Sequence, residues 1–102
     1  MAIVEVSIIP LGTKTASVSR YVARAIRALR QEENIKYEIT SMGTIIEGDL
    51  DKILELVKRM HEEAFSNEVA RVVTIIKIDD RRDKALSMSS KVSSLKEKLM
   101  YS

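Results

Sequence analysis

The 102-residue sequence predicts an α+β fold: a ferredoxin-like βαββαβ sandwich, with a four-stranded antiparallel sheet, two helices on one face and a C-terminal helix. Three observations lead there. Four short segments carry the alternation or the β-branched density of strands. Two longer segments between them repeat apolar residues at helical spacing. Only Met42 and Gly43 separate the second and third strands, the length of a hairpin turn.

The first strand is predicted over Ile3–Ile9, where Val4, Val6 and Ile8 alternate with Glu5 and Ser7. Pro10 to Thr15 reads as a loop, because Pro10 lacks a donor and Gly12 tolerates unusual dihedrals. Ser17 is a plausible N-cap for a helix over Val18–Glu32, with Val18, Val22, Ala25, Ile26 and Leu29 on its apolar face and Asn34 as its exit. Lys36–Ser41 and Thr44–Gly48 form the hairpin strands. Asp49 or Asp51 can cap the second helix, whose buried stripe is read as Leu50, Ile53, Leu54, Val57, Met60 and Ala64, with Phe65 closing its end. Ala70–Ile78, rich in Val and Ile, is the fourth strand. A charged exit, Asp79 to Lys84, leads to a third helix over Ser89–Met100, with Val92, Leu95 and Leu99 on one side.

Right-handed crossovers place the two main helices on one sheet face. Val4, Val6, Ile8, Tyr37, Ile39, Ile46, Val72, Ile76 and Ile78 should meet them. The other face should carry Glu5, Ser7, Ile9, Glu38, Thr40, Ile45, Glu47, Arg71, Val73, Ile75 and Lys77. A monomer would leave Ile9, Ile45, Val73 and Ile75 wet, and contiguous apolar patches mark association. The expectation is a homo-oligomer, dimer or tetramer, built through its sheets.

Composition narrows the function classes. The length implies one domain over residues 1–102. No cysteine is present, which removes disulfides, thiolate metal sites and cysteine nucleophiles. With 17 basic and 15 acidic residues the charge is nearly balanced, so a polyanion binder is not indicated. The first and fourth strands hold no aromatic residue for base stacking, so no nucleic-acid partner is expected. The start carries neither a basic leader nor a long apolar run, and no segment is long enough for a membrane helix. The expected setting is the cytoplasm, with no membrane partner.

No catalytic constellation stands out. His61 is the only histidine, and Glu62 and Glu63 beside it do not supply ligand spacing on one helix face; a half-buried helix residue is the plainer reading. Arg20, Arg24, Arg27 and Arg30 read first as the solvent face of an amphipathic helix and second as a phosphate grip. Gly43 and Gly48 make no phosphate loop, since no Gly-Lys-Ser/Thr follows. Gly43 could admit a ligand to the backbone at Met42-Gly43-Thr44, where Thr44 offers a hydroxyl. Glu47, with Glu5 and Glu38 on the same predicted face, could oppose a cation or accept from an aminated ring; Arg71 and Lys77 could neutralise these carboxylates structurally.

Several blocks of the chain resemble the small thiamine-binding protein family. They are Ile9-Pro-Leu-Gly12, Ser17 to Ala23, Lys36 to Ile39, Met42-Gly-Thr-Ile-Ile-Glu-Gly48 and Arg71 to Arg81. The resemblance covers nearly the whole chain. It implies a ferredoxin-like subunit that assembles through its sheets and binds thiamine or its hydroxymethylpyrimidine part without catalysis. Carried onto this chain, it points first to Thr44 and Glu47. Pro10, Gly12, Thr13, Ser17, Ser19, Met42 and Gly43 follow. It implies no metal and no cofactor, with thiamine as a possible ligand. The readings that compete are a regulatory amino-acid-sensing module of the same element order and an oligomeric scaffold with no ligand.

Overall fold

The computed structural model describes residues 1–13, 19–85 and 87–100, apart from the side chains of Ser19 and Tyr21. The elements run β1 (Ala2–Leu11), α1 (Ser19–Arg30), β2 (Lys36–Thr40), β3 (Gly43–Gly48), α2 (Leu50–Glu63), β4 (Arg71–Asp80) and α3 (Met88–Met100). Four strands pair antiparallel in the order β2-β3-β1-β4, the ferredoxin-like α+β arrangement. The predicted cap Ser17 lies outside the described residues.

Register confirms the two faces predicted by parity. Val4 pairs with Ile46 on one side and Ile78 on the other, and Val6 with Thr44 and Ile76, so these residues look toward α1 and α2. Glu5 lies opposite Ile45 and Lys77, and Glu38 opposite Ile45, on the other face. The core gathers Val4, Val6, Ile8 and Ile46 from the sheet with Ala25, Leu29, Ile53, Leu56, Val57 and Met60 from the helices. Burial of such side chains contributes about 1.5–3 kcal/mol each.

Three sequence expectations change. The predicted loop at Pro10 is strand: β1 runs on to Leu11 because β4 continues beside it, pairing Pro10 with Val72 and Leu11 with Arg71. The stripe of α2 uses Leu56, 1% exposed, rather than Leu54, 38% exposed. Ile53, Leu56, Val57 and Met60 follow the i, i+3, i+4, i+7 rule, and Leu54 falls at its rim. Finally, Tyr37, Ile39, Ile76 and Ile78 face the helix side as expected but remain exposed, because α1 and α2 cover the central strands and not the edges.

The ends of the elements have local causes. Asp49 caps α2 by accepting from Lys52 N–H at 3.3 Å. Its last turn tightens, with Ala64 N–H donating to the His61 carbonyl and Phe65 N–H to the Glu62 carbonyl. Asn34, after α1, sits at φ 66°, a left-handed position that asparagine tolerates. Glu32, just beyond α1, bridges Lys52 at 3.1 Å and Arg59 at 3.1 Å, clasping the chain to α2. The Lys52 hydrogen bond, with Arg59 assisting, holds its carboxyl below the ordinary 4.5.

Helix α3 stands apart. Lys91 bonds the Asp79 carboxylate, and Met88 and Val92 lie over the open sheet face near Ile3 and Ile45. Beyond that its apolar side is bare, with Leu95 60% and Leu99 66% exposed. Among the described residues, no helix is long and apolar enough to cross a membrane.

Candidate functional site

The hairpin tip and the end of β1 enclose a notch of about 510 Å³. It exists because two strands beside β1 stop at different places. β3 pairs with β1 only as far as Val6, whereas β4 follows it to Leu11. The missing length of β3 leaves a gap, walled by Val22 and Ile26 of α1, Ile39 of β2, the tip residues Met42 and Gly43, and Met60 of α2. The wall is apolar and carries the hydroxyls of Ser7, Thr40, Ser41 and Thr44, with no charged side chain among the described residues. A cavity of this size suits a small organic ligand, since such sites span about 300–1,000 Å³.

The tip is held by its own polar groups. Thr40 Oγ1 donates to the Gly43 carbonyl at 2.8 Å and accepts from Met42 N–H at 3.3 Å. Ser7 Oγ donates to the Met42 carbonyl at 3.0 Å, tying the tip to β1. A side chain at Gly43 would meet the Val6 carbonyl oxygen at 2.9 Å and Ser7 Oγ at 3.0 Å, so the close approach of tip and strand requires glycine. Thr44, 4% exposed, has no hydrogen-bond partner for its hydroxyl among the described residues, and it borders the notch.

Thr44 and Glu47 are not brought together. Strand β3 is regular, and Thr44 faces the helices while Glu47 lies on the open face between Ile3 and Lys36. Glu47 is 5% exposed, and its carboxylate forms no hydrogen bond or ion pair among the described residues. A separate hollow of about 250 Å³ on that face lies between Glu5, Glu38, Ile45, Lys77 and the first turns of α3.

Met42 and Gly43 line the notch beside Thr44. Pro10 is strand, Gly12 takes a left-handed φ of 75°, and both stand further along β1 and its exit. Thr13 follows Gly12. Ser19 opens α1 without a described side chain, and Ser17 is outside the described residues. Sequence reasoning did not single out Ser7, Ile8, Ile26 or Ile39 as site residues. The signal that could have found them is Pro10 directly after a strand pattern, since proline in a sheet marks an unpaired edge.

His61 Nδ1 lies 2.6 Å from Thr74 Oγ1, and its ring meets Phe65 edge-on at 5.3 Å. It is a helix residue stapled to β4. No group of acidic, histidine or cysteine side chains among the described residues is arranged to hold a metal.

A family model described as thiamine-binding protein matches residues 4–96. The chain belongs to that family. It is 47% identical to a UPF0045 protein of Methanothermobacter thermautotrophicus over 97% of this chain and 100% of that one. It is 44% identical to the UPF0045 protein YqgV of Bacillus subtilis, covering 97% and 98%. The crystal structure of a hypothetical protein from Methanocaldococcus jannaschii superposes with a TM-score of 0.85 at 45% identity, covering 94% of this chain and 96% of that one. A putative thiamine biosynthesis/salvage protein of Thermotoga maritima shares the fold at TM-score 0.74 and 22% identity, covering 92% and 97%.

Proposed function

We propose that this chain is a non-catalytic, cytoplasmic binding protein that takes thiamine, or its hydroxymethylpyrimidine part, as a homo-oligomer. The observation that carries the reading is the apolar, hydroxyl-bearing notch at the hairpin tip, uncharged among the described residues, in a member of a family described by thiamine binding. A pyrimidine ring is flat and largely neutral, so apolar walls can stack it while hydroxyls and main chain meet its nitrogens. The cationic thiazolium would extend out of the notch toward the open face, where Glu5 packs beside Gly43.

The notch disfavours an amino acid as ligand. An ammonium and a carboxylate taken from water need counter-charges, and none of the described side chains bordering the notch has one. Assembly is supported by β4, a ten-residue edge strand with Ile75, Ile76 and Ile78 exposed. A long apolar edge left open pairs with another chain.

Titration calorimetry with thiamine, hydroxymethylpyrimidine and a panel of amino acids tests the ligand, and light scattering on the eluting protein tests the assembly. Saturable heat with the two pyrimidines and an eluting dimer or tetramer are expected. Heat from amino acids alone, or from nothing, sinks the ligand reading. A monomer at working concentration sinks the assembly.

A further inference from the structure

We infer that the notch reads its ligand through the main chain of Ile8, whose N–H and C=O together take the amidine edge of an aminated nitrogen heterocycle: the ring nitrogen on the N–H, the exocyclic amine on the C=O. This rests on the proposed pyrimidine ligand and specifies how it is recognised.

Two independent observations fix the direction of these main-chain groups. In a strand the N–H and C=O of one residue point to the same edge, and the edge alternates from residue to residue. A Cβ at Gly43 would lie 2.9 Å from the Val6 carbonyl oxygen, so Val6 points its groups at β3. Two residues on, Ile8 points the same way, and so does Pro10. Proline agrees with this assignment. The β1–β4 ladder runs through Pro10 to Leu11, and a residue with no N–H is tolerated there only if its missing donor faces the other edge.

Among the described residues no strand pairs with that other edge beside Ile8, because β3 has ended at the tip. Ile8 therefore presents one donor and one acceptor into the notch, with the unpartnered Thr44 hydroxyl on the neighbouring strand. Main-chain groups enclosed by apolar walls need partners. An N=C–NH₂ edge supplies an acceptor and a donor side by side, as the absent β3 residue would have done. The same open edge is a poor dock for a peptide strand, since the tip at Met42 stops it on one side and the left-handed Gly12 turns the chain away on the other.

The test compares two ligands that differ at this edge alone. In the 4-oxo analogue of thiamine the amine becomes a carbonyl and the adjacent nitrogen gains a proton, which reverses the donor and acceptor. Calorimetry with full-length protein should show the analogue binding about tenfold to a hundredfold more weakly than thiamine, because two hydrogen bonds are replaced by opposed like groups. In ¹⁵N-labelled protein, the Ile8 amide should shift downfield with thiamine and not with the analogue. Equal affinities, or an unmoved Ile8 amide at saturation, would overturn the main-chain reading while leaving thiamine binding intact. Failure of both ligands to bind would remove the proposed function and this inference with it.

Discussion

Thr44 and Glu47 are almost equally buried, three residues apart on one strand, and they belong to different environments. Thr44 faces the helices and borders a notch with no charge among the described residues; Glu47 lies on the open face, in line with Ile3 and Lys36. Burial alone therefore does not identify a site residue on a sheet. The face decides what the buried group can meet: a hydroxyl beside an open strand edge on one side, a carboxylate among apolar and basic neighbours on the other.

The adjacent pair Ile45 and Ile46 gives the strongest probe of that contrast. Ile46→Ala, on the helix face, should cost about 2–5 kcal/mol in urea unfolding, as large-to-small changes in a packed core do. Ile45→Ala, on the open face, should cost about 1 kcal/mol or less at protein concentrations where the chain is monomeric. A cost for Ile45 that grows with protein concentration would show that a second copy covers it.

Thr44 and Glu47 themselves give smaller effects of opposite kind. Thr44→Val should leave stability within about 1 kcal/mol while weakening hydroxymethylpyrimidine binding about threefold to tenfold, read by calorimetry. Glu47→Gln should leave that affinity unchanged and change stability by no more than about 0.5 kcal/mol, because the carboxylate oxygens are not sealed from solvent. A loss of pyrimidine affinity in Glu47→Gln would break the contrast and mean that one ligand reaches both faces.

The smallest effect is the acid response of the α1–α2 clasp. The carboxyl of Glu32 is held below 4.5 by Lys52 and Arg59, so the folded state binds its proton less readily than the unfolded chain. Its contribution is present above that value and is lost as pH falls through the lower folded-state value. Glu32→Gln should therefore lower the melting temperature slightly at neutral pH, and the gap to the wild type should close as pH falls below 4.5.

Much of the architecture was legible because period-2 and period-3.6 patterns are local. The sequence parity of β1 and β3 placed Val4, Val6 and Ile46 inside and Glu5 and Glu47 on the far face, as the register has them. Leu56 was missed in favour of Leu54, since both fit a loose apolar pattern and only the angle of α2 against the sheet separates them. At the site, Met42, Gly43 and Thr44 could be read from turn chemistry. The notch could not, because it depends on β3 ending before β1 does, a mismatch between segments far apart in the chain. Ile8 was hidden for a further reason: its side chain is ordinary core, and the groups that matter belong to its backbone.

The pairing of β1 with β4 has a consequence for how the protein is made. Ala2 finds its partner at Asp80, so during synthesis the first strand waits for most of the chain before its second edge is covered. The hairpin arrives earlier and can protect the β3 side from Ala2 to Val6, leaving the β4 side bare in the meantime. A nascent strand with Val4, Val6, Ile8 and Ile9 is prone to pair with the wrong neighbour. Pro10 shortens the run of donors that such a neighbour could use on the notch side, so a residue that joins the β4 ladder in the finished protein also guards the strand before it is finished.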